Sequence, residues 1–281
     1  MLKVFFRWSA FAAYWVVLFA LPPALLWGPF GLAGGAAVGL AFLSLLRFSG
    51  LKPLLKRLRA RPLPAAQAPV LRAMVEEHCR RLSLPTPALY VIETPALNIA
   101  VLGFSQRQSA LVVTQGLLDK LPRRELSAVV ARGLCRVWSK DLVGETWLAR
   151  TLLFLQRLTQ TKPGLTSLER DRLLLHRLVR QLFLYPISLP AAWLLHAKKE
   201  ASALDQAAIR LTGDRRALTE AYRRMEAVAE HSALRVPFCT RHLFLVSPLT
   251  VDPLARVFFT QSGVEDRIRA MESFQASMVT P

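Results

Sequence analysis

Two apolar runs near the amino terminus constrain this chain more than any other feature. The first extends from Val4 to Leu26 and carries one charge, Arg7, while the second, from Gly31 to Leu46, carries none. A helix needs about 20 residues to cross a hydrocarbon core of about 30 Å. The runs therefore predict a transmembrane helical hairpin over residues 1–49. A tight turn is expected between the runs, at Pro22, Pro23, Gly28 and Pro29.

The overall composition supports membrane spans. Apolar residues make up 53% of the chain, and the mean hydropathy of +0.31 lies above that of ordinary soluble domains. A cleaved signal peptide is the alternative explanation for the first run. That run is longer than a typical signal-peptide core, and a second apolar run follows it directly.

Basic residues flank the hairpin and indicate its orientation. Lys3 and Arg7 lie at its start, the connecting turn has no Lys or Arg, and a basic group follows it: Lys52, Lys56, Arg57, Arg59 and Arg61. Because positive residues stay inside, both termini are expected in the cytoplasm, at an inner or plasma membrane. The cysteines are odd in number and lack metal-ligand spacing, which predicts reduced thiols in a cytosolic compartment. They are Cys79, Cys135 and Cys239.

The net charge of +18 bears on the partners of the chain. Such a charge suits either nucleic acid or an anionic membrane surface. The basic group after the hairpin accounts for part of it, and the sequence has no nucleic-acid motif or aromatic interleaving. The lipid bilayer is therefore the expected partner, and no nucleic acid is expected.

The remaining sequence predicts an α+β fold, in which a mainly helical domain with a small β-sheet follows the hairpin. A basic, Pro/Ala-rich linker is expected over residues 50–68 and the domain over 69–281. Ala88–Glu93 and Ser109–Thr114 are rich in apolar and β-branched residues, which predicts strands. Hydrophobic stretches near 147–158 and 180–196 are too short or too broken by proline for confident spans, so they are candidate membrane-associated segments.

Residues 125–141 predict a helix at the centre of the domain. Leu126, Val130, Leu134 and Val137 recur at helical spacing and form one apolar stripe. The same helix carries Arg132, Arg136 and Lys140 four residues apart, so their side chains share a face.

This helix resembles the zinc-binding helix of the HtpX-type membrane metallopeptidases, which are relatives of the CAAX prenyl proteases. That family carries H-E-x-x-H, in which two histidines hold zinc and the glutamate activates the zinc-bound water. The matching positions here read Arg132, Gly133 and Arg136. Arginine has no lone pair for a metal and glycine has no carboxylate. The resemblance therefore implies a peptidase fold with no catalytic residues and no zinc cofactor.

Two further segments carry the resemblance. Asn98 and Gly103 match the ends of a strand that lies beside the active cleft in the family, although Ile99 and Ala100 depart from its Asn-Ala-Phe pattern. Asp141 matches an aspartate that closes the zinc helix. Near the carboxyl terminus, the family's His-Pro-Pro precedes an Arg-Ile pair, and the corresponding residues here are Gln261, Ser262 and Gly263.

The family's third zinc ligand is a glutamate four residues before an aspartate. Anchoring that register on Asp205 and Thr212-Gly213 puts Ala201 at the ligand position. Glu200 is one residue away, which turns it by about 100° around a helix. A slipped register, with Glu200 as the ligand, stays open. The resemblance gives these candidate cleft residues: Asn98, Gly103, Arg132, Arg136, Asp141, Glu200 and Asp205.

The arginine stripe allows three interpretations. The side chains could pair internally with Asp205 or Glu200, form a solvated face, or bind an external anion such as a peptide carboxylate or lipid phosphate. No Ser-His-Asp or paired-carboxylate arrangement is legible from spacing, and Cys135 is expected to be a small buried side chain. The histidines are too dispersed to suggest another metal site: His78, His176, His196, His231 and His242.

Two function hypotheses follow. The favoured one is a membrane-anchored, HtpX-like pseudopeptidase that binds peptide or protein partners at the membrane. Those partners would be unfolded or membrane protein segments, or an active peptidase, and an edge strand could take an extended peptide by strand addition. The alternative is an active zinc-dependent membrane metalloendopeptidase in protein quality control, with unconventional ligands.

The predicted orientation can be tested with reporter fusions. A fusion at Ala24 should report a non-cytoplasmic position, and a fusion at the carboxyl terminus should report the cytoplasm, because only the flanks of the hairpin are basic. A carboxyl-terminal reporter that is active outside the cytoplasm would contradict both the orientation and the expectation of reduced thiols.

Overall fold

The structure, a computed structural model, describes residues 2–48, 50–64, 66–139, 141–158, 200–231, 234, 236–246 and 263–279. The chain forms two compact units: Met1–Gly50 with Trp147–His196, and Leu51–Thr146 with Ala197–Pro281. The sequence had predicted one domain over 69–281. The segment expected near 180–196 lies outside the described residues.

In the described part of the chain, helices are more numerous and longer than strands, and the α+β prediction is confirmed. The helices are α1 (Leu2–Phe48), α2 (Lys52–Arg57), α3 (Pro69–Leu82), α4 (Gln115–Lys120), α5 (Arg123–Trp138), α6 (Asp141–Leu158), α7 (Glu200–Thr212), α8 (Arg215–His231) and α9 (Val264–Val279), with a 3₁₀ turn at Phe238–Leu243. The strands are β1 (Arg61–Pro62), β2 (Ala88–Ile92), β3 (Ile99–Gly103) and β4 (Ser109–Thr114).

In the first unit, α1 doubles back on itself at Trp27 and Gly28, where the backbone leaves the helical conformation. A Cβ atom added at Gly31 would lie 2.0 Å from the carbonyl oxygen of Pro23, although eight residues span about 12 Å along a straight helix. The turn is shorter than the one expected at 22–29, and Pro22 lies within the helix. Gly28 has φ 57, a conformation that glycine adopts without steric cost.

Small residues allow the two arms of α1 to approach closely. Gly31, Gly35 and Gly39 recur every four residues, so they share one face of the second arm. A Cβ atom at Gly35 would lie 2.5 Å from the carbonyl oxygen of Phe19, and one at Gly39 would lie 3.0 Å from Cα of Val16. This is the packing by which small residues bring helix backbones together in membranes.

The outer surface of α1 is apolar. Within the described residues, α1 is the one helix long and apolar enough to cross a membrane, and the mean hydropathy reaches 1.8 within its Ser9–Leu46 portion. Its large exposed side chains include Leu25, Trp27 and Phe30. Such a surface is typical of contact with lipid rather than with water.

The part of α6 that belongs to the first unit packs on the same arms. The ring of Trp147 lies 6.3 Å from that of Phe11, and the ring of Phe154 lies 4.9 Å from that of Phe42. The stretch near 147–158 is therefore helical and joins the aromatic cluster of this unit.

The second unit is built around a four-stranded sheet in the order β1-β2-β4-β3. β2 and β4 are parallel, whereas β1 pairs antiparallel with β2 and β3 antiparallel with β4. The predicted strands at 88–93 and 109–114 are present as β2 and β4. Residues 50–68 are not an independent linker, because they contain α2 and β1 and because Leu54, Leu55 and Leu58 are buried.

α5 is the central helix of the second unit. It packs against β3, α3, α7 and α8. The predicted stripe of Leu126, Val130, Leu134 and Val137 is buried. Because neighbours surround the helix, residues outside the stripe are buried as well, among them Arg132.

The glycine packing within α1 gives a matched pair of variants. Gly35→Leu should lower the unfolding midpoint of the purified protein in detergent, because the new side chain meets backbone atoms of the other arm and overpacking costs about 1–3 kcal/mol. Gly34→Leu is the control, since a Cβ atom there has nothing within 4 Å. Equal midpoints for the two variants would show that the arms are not packed in this way.

Candidate functional site

The positions that match the family's zinc ligands lie on α5 and α7, which pack against each other. Arg132, Gly133 and Arg136 lie on α5, and Ala201 and Asp205 lie on α7. Arg132 is buried, with 4% of its surface exposed, and Asp205 is fully buried at 0%. A buried charge of either sign requires a partner.

Arg132 and Asp205 are partners. Nε of Arg132 donates to Oδ1 of Asp205 at 2.5 Å, and its Nη2 donates to the carbonyl oxygen of Ala201 at 3.4 Å. Of the three interpretations of the stripe, the internal pair with Asp205 is the one present at Arg132. The expected Glu200 partner and the side chain of Asp141 lie outside the described part of the structure; these two residues begin α7 and α6.

A second arginine, Arg267 of α9, binds the same carboxylate. Its Nε donates to Oδ2 of Asp205 at 2.8 Å and its Nη2 donates to Oδ1 at 2.6 Å, so the contact is bidentate. The hydroxyl of Tyr222, on α8, donates to Oδ1 at 2.7 Å. We call Arg132, Asp205, Tyr222 and Arg267 the Asp205 network.

The network holds Asp205 in its charged form. Burial raises the pKa of Asp205, but Arg132 and Arg267 outweigh burial, and the pKa lies below its usual value. Burial also raises the pKa of Tyr222, so the phenol remains a hydrogen-bond donor. A lowered carboxyl pKa stabilises the fold above the unfolded-state pKa of about 3.9, and that stability is lost as the pH falls through the folded-state pKa.

Arg136 has different partners. Its Nη1 donates to the carbonyl oxygen of Leu243 at 2.9 Å, and its Nη2 donates to that of His242 at 2.9 Å. Nη2 also contacts the carboxylate of Glu145. Arg132 and Arg136 therefore do not form the solvated stripe that their spacing allowed, and Lys140 lies outside the described residues.

Gly133 faces the sheet. A Cβ atom there would lie 3.1 Å from Cδ1 of Leu111, 3.3 Å from Cδ1 of Ile99 and 3.5 Å from Cγ2 of Val101. A carboxylate at this position would be directed at methyl groups, where an ionised group without a partner is strongly disfavoured.

The two ends of the predicted edge strand are both fixed by hydrogen bonds. Asn98, just before β3, is buried, and its Nδ2 donates to the carbonyl oxygen of Val246 at 2.7 Å. The amide of Gly103 donates to Oγ1 of Thr146 at 2.8 Å. A Cβ atom at Gly103 would lie 2.8 Å from Cδ2 of Leu142 and 3.0 Å from the carbonyl oxygen of Gln108, so a larger residue would require these neighbours to shift.

The residues at the motif positions do not fit a zinc ion. Two guanidinium groups, a glycine and an alanine offer no side-chain lone pair or carboxylate. Burial raises the pKa of Cys135 to about 11, as expected for a small thiol packed in an apolar core. Among the described residues, no cluster of three or more His, Cys, Asp or Glu could hold a metal; His176 and His196 are not among them.

The chain has an apolar hairpin and an α+β unit whose central helix, α5, packs against β3, as the resemblance to membrane metallopeptidases predicts. A "Protease HtpX homolog" from Acaryochloris marina is 30% identical over 211 residues, which are 73% of this chain and 72% of that protein. Another from Salinibacter ruber is 29% identical over 274 residues, 95% of this chain and 96% of that protein. This chain belongs to the family of HtpX protease homologues.

No protein-family model matches the chain. The crystal structure of S. mikatae Ste24p is similar with a TM-score of 0.49 and 14% identity, over 91% of this chain and 61% of that one.

Three site residues were missed by sequence reasoning. Arg267 lies in the Arg-Ile pair that resembles the family's closing segment. The sequence therefore marked this residue but did not reveal Asp205 as its partner. Tyr222 and Glu145 carried no signal in the sequence. Tyr222 lies 17 positions from its partner Asp205, Glu145 lies 9 positions from its partner Arg136, and no motif links either pair.

The Asp205 network predicts a large cost for removing its centre. Asp205→Ala leaves Arg132 and Arg267 buried without their carboxylate, which should destabilise the protein by about 3–5 kcal/mol. Glu93→Ala is the control, because its pair with Arg61 is exposed on both sides and such pairs contribute about 0–1 kcal/mol. Thermal unfolding in detergent measures both; an Asp205→Ala midpoint equal to that of Glu93→Ala would rule out the buried network.

Proposed function

We propose that this protein is a membrane-anchored, non-catalytic member of the HtpX family. The observation that carries the proposal is the Arg132–Asp205 ion pair, which lies where the family has its first zinc ligand. In this proposal the ion pair joins α5 to α7, and no metal is required at that position.

The chemistry of peptide hydrolysis supports the proposal. The family's reaction needs a metal that lowers the pKa of bound water to about 7 and a carboxylate that accepts its proton. Arg132 and Arg136 place positive charge near the position that a dication would take, so they would repel zinc as well as fail to bind it. Gly133 has no side chain to act as the base.

The surroundings of Gly133 provide further support. A Cβ atom at position 133 would lie within 3.5 Å of the side chains of Leu111, Ile99 and Val101. A glutamate restored here would require Leu111 and Ile99 to shift by a few tenths of an ångström. The sheet is thus packed for a glycine rather than for a catalytic acid.

The proposed role is to bind protein partners at the membrane. The second unit would lie on the cytoplasmic side, since the basic residues flank α1. The proposed partners are unfolded or membrane protein segments, or an active peptidase whose work in protein quality control this protein would assist. The bilayer itself is the remaining partner.

The proposal predicts that the purified wild-type protein contains far less than one zinc per chain by elemental analysis and does not cleave casein. Single repairs, such as Arg132→His, should restore neither, because a three-ligand site fails when any ligand is missing. The minimal combined repair is Arg132→His, Gly133→Glu, Arg136→His and Ala201→Glu. Wild-type protein with one zinc per chain and casein cleavage that a chelator abolishes would overturn the proposal in favour of an active peptidase.

A further inference from the structure

The outer edge of β3 is occupied by the chain itself. We call residues Leu243–Val246 the cap segment. Its Leu245 amide donates to the carbonyl oxygen of Ile99 at 2.9 Å, and Phe244 forms an antiparallel bridge with Ala100. At Phe244 and Leu245 the cap segment therefore pairs with the strand as an added peptide would, in the mode called strand addition.

Asn98 fixes one end of the cap segment. Its Nδ2 donates to the carbonyl oxygen of Val246 at 2.7 Å, and its Oδ1 accepts a hydrogen bond from the amide of Val246 at 3.3 Å. One side chain thus satisfies both backbone groups of Val246, as a neighbouring strand would.

Arg136 fixes the other end. It donates to the carbonyl oxygens of His242 and Leu243, both at 2.9 Å. Its own position is fixed by Glu145, whose carbonyl oxygen contacts Nε2 of His242 at 3.0 Å. A histidine at position 136 is shorter and has no guanidinium fork, so it could not make both carbonyl contacts.

The cap segment is also tied to the Asp205 network. Nη1 of Arg267 donates to the carbonyl oxygen of Leu245 at 2.9 Å. All four side chains of the cap segment are apolar and buried. Phe244 has an extended backbone, and the β3 edge thus contacts a short segment with apolar side chains that comes from within the chain.

We propose that the β3 edge is a binding surface for extended apolar peptides, that the cap segment is its resting occupant, and that Arg136 is the latch that retains it. An external peptide can bind to the β3 edge only when the cap segment has dissociated from it. This inference rests on the proposed non-catalytic function, because Arg136 can serve as a latch only where it is not replaced by a metal ligand.

The test uses a peptide that copies residues 244–247 of this chain and carries fluorescein at its carboxyl end, so that it lacks the two carbonyl groups that Arg136 binds. Its binding to the full-length protein in detergent is measured by fluorescence anisotropy. Arg136→Ala should bind the peptide about tenfold or more tightly than wild type, since a difference of that size corresponds to the loss of one or two hydrogen bonds. The matched control is Arg124→Ala, which removes another arginine of α5 from an exposed ion pair with Asp214 and should bind like wild type.

Two modified peptides test the mode of binding. N-methylation at the position of Leu245 removes the donor to Ile99 and should abolish binding. N-methylation at the position of Phe244 should be tolerated, because that amide bonds to Arg241 within the chain and not to β3. Equal affinity of the two modified peptides would overturn the assignment to the β3 edge.

If Arg136→Ala does not fold, Glu145→Gln is the second variant, because it removes the carboxylate that positions Arg136, and the same criterion applies to it. In either variant the Leu245 amide should exchange with deuterium about tenfold faster or more than in wild type. If both folded variants bind the peptide no better than wild type, the latch is refuted. That result is distinct from a failure of the proposed function, which the zinc content of the wild-type protein reports.

Discussion

The second unit depends on the charge of Asp205. This carboxylate is completely buried, and an ion in such a place is tolerated only when its partners are fixed around it. Arg132, Tyr222 and Arg267 come from α5, α8 and α9, while Asp205 itself lies on α7. The need to satisfy one carboxylate therefore sets the mutual positions of four helices. Because its pKa is lowered, the carboxylate stays charged at neutral pH and the constraint persists there.

The two arginines of the altered motif have separate structural roles. Arg132 serves the Asp205 network, and Arg136 holds the backbone of the 3₁₀ turn and the cap segment. Arg267 connects the two sets of contacts, since it binds both Asp205 and the carbonyl oxygen of Leu245. The replacements at the motif are thus parts of one connected arrangement. This explains why restoring a single ligand is expected to remove support from the fold without creating a metal site.

Local sequence patterns predicted helices and strands, but they could not predict contacts between residues that are far apart in the chain. The periodicity of residues 125–141 predicted α5, and the apolar runs predicted the two arms of α1. The pair between Arg132 and Asp205 was one of three open interpretations, because spacing places charges on a face but does not identify what faces them. Arg136 bonds to a carbonyl 107 positions away, which no periodicity encodes. The segment 50–68 looked like a linker because proline and alanine obscured the leucines that anchor α2.

The central claim is that arginine and aspartate occupy the position that the resemblance to the HtpX family assigns to zinc. The most direct measurement is the unfolding midpoint of the purified protein in detergent, with added zinc and with a chelator. A ligand that binds only the folded state stabilises it by about 2.7 kcal/mol at a concentration of about 100 times its Kd. We expect the midpoint to be the same in zinc, in chelator and in plain buffer. A midpoint that rises with zinc and falls on chelation would contradict the account.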